Sequence, residues 1–566
     1  MLKFSEDAKV AEQEMHAIIY YLTAFGYVDG DFDSAEKSFI RGYIARLVQH
    51  RADEAMGKDP DEIKDELVGK WTAHFFEVLD SVDAEIQENL REPVAEGEDS
   101  QAFVIARLKL RCFELFKQFE EDTRTALLGT VDELMMADGT THPSEVAFRS
   151  ELAHLLEEPI EFADVEIETL ESGDVVIAEE KAILPAQQNH PFFARSEWDY
   201  ARDKETFAAQ SAADLEVVRQ TIARLEEDRR GGSGKLKLGT TFADFAEDKP
   251  FADGHVIVHP PRNEDHDLLV LGDLHGCYSC LKAALLQADF FARVQAYHDE
   301  PGKHPNVLLV LLGDYIDRGR FSYSGVLRTV LQLYLTVPEH VIPLRGNHEY
   351  YVELNNRVYS AVKPSEAMTS LQNIAGNEVF SAYMKLFEAL PCMFVFDKLF
   401  FVHAGIPRDD TFAEKWQGLE SLNEFDLRFQ MLWSDPSQAD SIPVDLQKQS
   451  ARFPFGKRQF RAFMQKIGCT TMIRGHERII DGFKEVYSDP EARLLNLFSA
   501  GGEHNNDLPP DSNYREVKPK ALTIKYRGGV SEIVPFEIDY AKYNSAETNA
   551  FFAEAMEGAK GPRSVR

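Results

Sequence analysis

Cysteine is scarce in this chain of 566 residues: five thiols, too few and too scattered for a disulfide scaffold, and suited to a reducing compartment. Long apolar runs are missing too. No stretch approaches the ~20 residues a bilayer-spanning helix needs, so no membrane span is expected. Met1-Leu-Lys-Phe-Ser-Glu-Asp7 has no basic flank ahead of its first apolar stretch, which argues against a secretory leader. The expected location is therefore cytoplasmic. Positive charge is in deficit: 61 Lys and Arg against 96 Asp and Glu leave a net −35. Nonspecific nucleic-acid binding by the chain as a whole is thereby excluded. What remains is globular in composition, 44% hydrophobic and 28% charged, and long enough for two or three domains.

The charge is unevenly placed. Residues 1–265 hold 58 acidic and 28 basic side chains, net −30; residues 266–566 hold 38 and 33, net −5. The break falls at the proline-marked loop Pro260-Pro261-Arg262-Asn263. Arg229-Arg-Gly-Gly-Ser-Gly234 reads as a flexible linker. The run from Gly231 to Lys235 fails as a phosphate-binding loop, because Arg229 and Leu236 stand where that motif needs Gly and Ser or Thr.

The first ~158 residues show apolar spacing of helical period, as in Met15 to Leu22 and Ile40 to Leu47. Asp29-Gly30 leads to Glu36, and Asp138-Gly139 to Glu145, by the same seven-residue step. The spacing predicts two helix hairpins. Asp33-Ser-Ala-Glu36 would form a capping box, and Pro143 would open a helix. The alternative is a cation site at Asp29, Asp31 and Asp33. It lacks the Gly and the terminal Glu of a calcium loop, Ser34 and Ile40 standing there instead. Met136-Ala-Asp-Gly-Thr-Thr-His-Pro-Ser-Glu145 resembles the signature of tellurite-resistance (TerB-like) helical domains. That resemblance implies an interaction or sensing module that docks a protein partner. Residues ~164–190 alternate like short strands, and ~203–230 return to a charged helical pattern.

The second half carries the chemistry. Five short apolar runs each end in polar residues able to bind metal. Leu268–Leu271 leads into Gly272-Asp273-Leu-His275-Gly276. Val307–Leu312 leads into Gly313-Asp314-Tyr-Ile-Asp317-Arg318-Gly319. Val341–Leu344 leads into Arg345-Gly-Asn347-His348-Glu349. Leu399–Val402 leads into His403-Ala-Gly405, and Thr470–Ile473 into Arg474-Gly-His476. Such runs read as buried strands of an α/β protein, whose ends share one rim. The donors are carboxylate, amide oxygen and imidazole without thiolate, a set suited to Mn²⁺, Fe²⁺ or Zn²⁺. Cys277 and Cys280 follow the first motif, but with no second cysteine pair they are read as facing a helix start.

These motifs, with Leu432-Trp-Ser-Asp-Pro436, resemble the metallo-dependent phosphoprotein phosphatase (PPP) family in its bacterial-type Ser/Thr form, across ~265–500. The resemblance implies a β-sandwich flanked by helices and two divalent metals, manganese first, iron or zinc as alternatives. Asp273 and His275 would hold one metal and Asp314 would bridge both. Asn347, His403 and His476 would complete the second. A metal-bound hydroxide would attack phosphorus in line. His348, oriented by Asp317, would protonate the leaving oxygen, while Arg318 and Asn347 bind phosphate. The implied substrate is a phosphoprotein or a phosphorylated small molecule.

Three departures stand out. His403-Ala-Gly-Ile-Pro407 resembles the symmetrical dinucleoside tetraphosphatases, which makes nucleotide hydrolysis the alternative activity. An idle catalytic fold used as a signalling scaffold is a further alternative. The family's second phosphate arginine falls on Gln449, with Arg452 the nearest replacement. Ser499-Ala-Gly-Gly-Glu-His504 lacks the tyrosine that overhangs the site in relatives. The segment 451–478 holds seven basic residues and one acidic, either a solvated helical face or a positive collar. The expected domains are a helical module at 1–160, a small strand-containing segment and helical linker at 161–262, the α/β catalytic domain at 263–540 and a helical tail at 541–566.

Overall fold

The computed structural model describes residues 8–28, 32–56, 61–89, 94–95, 100–117, 119, 121–134, 143–157, 174–183, 189–200, 204–354, 357–360 and 362–552. Asp29, Gly30, Asp31, Asp138, Gly139 and the strand expected at 165–170 lie outside them. The chain divides into two compact units, Met1–Asp164 with Ser437–Gly456, and Val165–Pro436 with Lys457–Arg566.

The first unit is helical: α1 (Ala8–Gly26), α2 (Ser34–Met56), α3 (Asp61–Asn89), α4 (Ser100–Phe116), α5 (Glu121–Leu134) and α6 (Pro143–Glu157). Asp33 caps α2. Its Oδ1 accepts from the Ala35 and Glu36 amides at 2.7 and 2.8 Å, and Glu36 Oε2 accepts from the Asp33 amide at 2.9 Å. This is the reciprocal capping box. Apolar faces of the helices bury Phe25, Ile44, Leu79, Phe113, Leu127 and Leu152 in one core.

The stretch 437–456 belongs to that same core, an origin the sequence pattern did not reveal. Ile442 and Leu446 are buried among the helical residues. The Ser437 hydroxyl and the Gln438 amide donate to Glu114, and Lys109 Nζ donates to Gln449 Oε1 at 3.2 Å.

Among the described residues, besides a hairpin of Tyr351–Leu354 with Arg357–Ser360, the second unit holds two mixed sheets. The strands are β1 (Asp174–Ile177), β2 (Phe251–Asp253), β3 (Val256–Val258), β4 (His266–Leu271), β5 (Asn306–Leu311), β6 (Val341–Pro343), β7 (Met393–Phe396), β8 (Leu399–Val402), β9 (Thr471–Arg474), β10 (Phe483–Asp489), β11 (Ala492–Leu497), β12 (Lys520–Arg527) and β13 (Val530–Glu537). Among the described residues one sheet runs β1-β13-β12-β4-β5-β6 and the other β10-β11-β9-β8-β7-β3-β2. Strands β4, β5 and β6 are parallel, Leu268 facing Leu308 and Leu309 facing Val341. Strand β9 runs parallel to β8, Leu399 facing Thr471.

Strand alternation explains why both faces of the first sheet are buried. Leu268, Val270, Leu308 and Val310 meet Phe394, Phe401, Ile473 and Leu495 of the second sheet, closing a β-sandwich. Leu269, Leu271, Leu309 and Leu311 point the other way, into a core shared with flanking helices. Those include α7 (Lys204–Arg230), α8 (Tyr278–Gln287), α9 (Arg328–Thr336) and α10 (Glu366–Ala389).

Two local expectations need correction. The glycine-rich stretch after α7 is a packed turn, not a free linker: Arg229 Nε donates to the Gly254 carbonyl at 2.6 Å and Lys235 pairs with Asp248 at 2.5 Å. Helix α7 itself is anchored by a buried bidentate pair, Arg328 Nε and Nη2 donating to Asp214 at 2.9 and 2.8 Å. Residues 204–262 therefore belong to the second unit's own packing. The C-terminal hairpin forms around Gly528-Gly529, and the described part of the expected helical tail consists of short 3₁₀ turns at Tyr540–Tyr543 and Ala550–Phe552. Among the described residues no helix is long and apolar enough to cross a membrane.

Candidate metal centre

The five strand-end turns converge. Asp273 follows β4, Asp314 follows β5, Asn347 and His348 follow β6, His403 follows β8 and His476 follows β9. Each turn borrows acceptors from its neighbours. The Leu274 and His275 amides donate to the Asp314 carbonyl at 3.1 and 2.8 Å, and the Gly475 amide to the His403 carbonyl at 2.9 Å. Asp314 Oδ1 accepts from the His348 amide at 3.0 Å, and Asp273 Oδ1 from the His476 amide at 2.9 Å.

The backbone is bent to achieve this. His275, Asp314, Asp317, Arg318 and His476 all have φ between 41° and 71°. Non-glycine residues in that left-handed region carry a conformational cost, and such residues concentrate at functional sites. Two glycines make room for the carboxylates. A Cβ at Gly346 would lie 2.1 Å from Asp314 Oδ1, and one at Gly475 would lie 2.1 Å from Asp273 Oδ1.

The imidazoles are fixed from outside the cluster. His275 Nδ1 lies 3.0 Å from the Ile316 carbonyl, His403 Nδ1 3.0 Å from the Leu312 carbonyl, and His348 Nδ1 2.7 Å from Asp317 Oδ2. Each Nδ1 therefore carries the proton and donates outward, leaving the Nε2 lone pair facing in. His275 Nε2 sits 3.8 Å from Asp273 Oδ2 and 3.5 Å from Asp314 Oδ2. His403 Nε2 sits 3.5 Å from Asp314 Oδ1 and 2.9 Å from the Asn347 amide group. His476 Nδ1 is 3.2 Å from that amide and from His403 Nε2.

So the inward groups are two carboxylates and imidazole nitrogens that present lone pairs, with the Asn347 amide group at the same rim. Asp273 Oδ2 is buried and accepts no hydrogen bond from the described residues. Burial pushes Asp273 up to about 7 and Asp314 well above the carboxylate range, with Asp273 and Glu349 adding to the rise at Asp314. Burial also holds His275 and His403 well below the usual imidazole value. Convergent lone pairs on groups reluctant to be charged alone are what a cation site requires. Among the described residues, the side chains that can share an ion form two groups, His275 with Asp314 and His348, and Asp314 with His403 and His476. Asp314 belongs to both.

Among the other expected residues, Asp317 Oδ1 accepts from the Ala367 amide at 2.8 Å, and burial raises its carboxyl to about 6. Arg318 lies beside it. Arg452 belongs to the helical unit, where its amide donates to the Ser450 hydroxyl at 3.1 Å. Of the basic residues read as a solvated face or a positive collar, Arg474 is fully buried and paired with Asp435 and Glu477, and Arg461 pairs with Asp489. Cys277 stands at the N-cap of α8, and burial pushes the Cys280 thiol up.

Two residues escaped the sequence pattern. Glu349 is buried and accepts from the Asp314, Tyr315 and Gly346 amides at 2.9, 2.8 and 3.0 Å, bracing two ligand turns against each other. Its place in Gly-Asn-His-Glu was the available signal. Tyr514 comes from a 3₁₀ turn at Asn513–Glu516, and its ring lies 5.3 Å from that of His275. The loop at 499–504 lacks a tyrosine, yet one reaches the site from ten residues downstream of His504. No pattern around Tyr514 announces this.

Residues 266–478 match the family model described as calcineurin-like phosphoesterase. The chain thus carries a calcineurin-like phosphoesterase domain, with serine/threonine phosphatases among the proteins it resembles at low identity. A probable serine/threonine-protein phosphatase of Encephalitozoon cuniculi is 25% identical over 259 residues, 45% of this chain and 51% of that protein. The serine/threonine-protein phosphatase 4 catalytic subunit of Saccharomyces cerevisiae is 25% identical over 240 residues, 42% of this chain and 70% of that protein. The chain thus spans about half the length of the first of these relatives. Among solved structures, a Saccharomyces cerevisiae protein serine/threonine phosphatase with similarity to human phosphatase PP5 aligns with TM-score 0.36 and 16% identity, over 58% of this chain and 90% of that one.

Proposed function

We propose that this protein hydrolyses phosphomonoesters, phosphoserine and phosphothreonine in proteins first among them, at a centre of two divalent metals. The observation that carries the reading is the inward convergence of imidazole and carboxylate lone pairs around Asp314. The donor set fits the metals: Asp273 and His275 would hold one, Asn347, His403 and His476 the other, with Asp314 between them. Ions held there supply Lewis acidity toward phosphoryl oxygen and a water nucleophile near neutral pH.

The remaining work falls to the chain. Asp317 holds the His348 ring by its Nδ1 proton, so that Nε2 is the atom presented inward, where a protonated ring can give its proton to a leaving alkoxide. Arg318 supplies a planar cation for phosphoryl oxygens. A single in-line displacement by water then needs no covalent phosphoenzyme. The amide of Asn347 adds a neutral donor or acceptor at the same rim.

The test is Mn²⁺-dependent turnover of a phosphopeptide, p-nitrophenyl phosphate and a dinucleoside tetraphosphate by the full chain. We expect the monoesters to be preferred and His348→Asn to lower kcat by about 10²-fold or more. Preference for the dinucleotide would overturn the substrate assignment, and full activity of His348→Asn would overturn the role of the acid.

A further inference from the structure

Arg318 is held by one arm only. Its Nη1 donates to the Pro364 carbonyl at 3.1 Å and to Glu366 Oε1 and Oε2 at 2.9 and 3.1 Å. Its Nη2 is buried and meets no carbonyl or carboxylate acceptor among the described residues, with the Tyr514 phenol beside the guanidinium. A guanidinium is rigid and flat, so three acceptors on one nitrogen also set the direction of the other. Leaving a cationic N–H buried without an acceptor is costly unless an incoming group completes it.

The same helix start does a second job. Glu366 is the first residue of α10, and the amide of the next residue, Ala367, donates to Asp317 Oδ1, while Asp317 Oδ2 orients His348. Asp317 and Arg318 are adjacent, both in the left-handed backbone region, with φ of 66° and 65°. The first turn of α10 thus grips both members of this strained pair, one through a backbone amide and one through a side chain.

Resting on the phosphatase reading above, we propose that Glu366 is a positioning residue. With the Pro364 carbonyl it fixes one arm of Arg318, so that the other arm is reserved for an oxygen of the phosphoryl group. Glu366 itself touches neither substrate nor metal. It is half-exposed, which leaves it replaceable without opening the core.

The test uses the full chain with two readouts: calorimetric titration with inorganic phosphate in the presence of Mn²⁺, and steady-state kinetics on p-nitrophenyl phosphate. Glu366→Ala is expected to weaken phosphate binding and raise KM by about tenfold, with kcat changed no more than about twofold. Glu366→Gln, which keeps an acceptor, should recover most of that loss. In an Arg318→Ala background Glu366→Ala should add nothing, the coupling expected of residues acting as one unit. Glu378→Ala, on the same helix and exposed, is the control and should leave both readouts unchanged. Unchanged or tighter phosphate binding by Glu366→Ala would overturn the proposal, since the carboxylate would then be idle or a competitor of the substrate. An additive loss in the double variant would overturn it as well. Wild-type protein that binds phosphate but does not turn over the ester would overturn only the enzymatic reading. Wild-type protein that binds no phosphate would overturn both.

Discussion

Asp33 in the helical unit and Asp273 in the catalytic unit both sit at turns and both accept backbone N–H groups. They differ in what is left over. Asp33 gives Oδ1 to two amides of α2 and stands partly in water, where solvent can satisfy its other oxygen. Asp273 gives one oxygen to the His476 amide and keeps the other buried without a donor. The same residue type is a helix cap in one place and a candidate ligand in the other, and the deciding quantity is unmet hydrogen-bonding capacity under burial. The contrast extends to the units. The helical unit holds most of the acidic excess, whereas the catalytic unit buries several of its charged groups together.

The largest effect that would sharpen this contrast lies at Glu349. Replacing it by Gln removes the charge that braces the Asp314 and Asn347 turns and should weaken Mn²⁺ binding by about 10–100-fold, read by calorimetry. Equal affinity would mean the turns hold themselves.

The next concerns the helical unit's claim on 437–456. Leu446→Ala should destabilise that unit by about 2–5 kcal/mol, seen as faster proteolysis within 437–456. A truncated chain lacking residues 1–160 should show the same cleavage. Resistance in both would mean the stretch holds without its helical core.

How far the site could be read from sequence follows from the same distinction. Each candidate ligand stands within a few residues of an apolar run, so the grouping of Asp273, His275, Asp314, Asn347, His403 and His476 at strand ends was legible from short-range pattern. Glu366 was not, because it meets Arg318 across a sequence separation of 48 through a side chain that reads locally as an ordinary helix-starting glutamate. Tyr514 arrives on an irregular turn. The stretch 437–456 reads as catalytic sequence, and only the packing of Ile442 and Leu446 reveals its other allegiance. Helix α7 looked like a linker because its charges dominate its composition, while its anchor, the pair of Asp214 with Arg328, is a tertiary fact.

A smaller effect separates the buried neutral histidines of the catalytic unit from ordinary surface ones. Burial pushes His255 and His259 down to about 3 from their ordinary 6.5. Below pH 6.5 the unfolded chain takes up protons there that the folded chain refuses. Stability is thus complete above that value and falls as the pH drops toward 3, by roughly 1.4 kcal/mol per pH unit for each histidine. Urea unfolding of the catalytic transition at pH 7.5 and 5.5 reads it, and equal midpoints would contradict it.

The smallest effect is at Asp33. Its replacement by Ala should cost about 1 kcal/mol through the lost cap and leave metal content untouched. Thermal melting and elemental analysis together decide, and a fall in bound metal would return Asp33 to the ligands.

Whether Asp314 joins two ions is decided by the Mn²⁺ stoichiometry of the full chain, wild type against Asp314→Asn. Shared by both candidate ligand groups, Asp314 should be needed for the pair. Two ions per wild-type chain are expected, with loss of tight binding at both positions in the variant. A wild type that binds none, or a variant that keeps two with unchanged affinity, would contradict a dinuclear centre built on this residue.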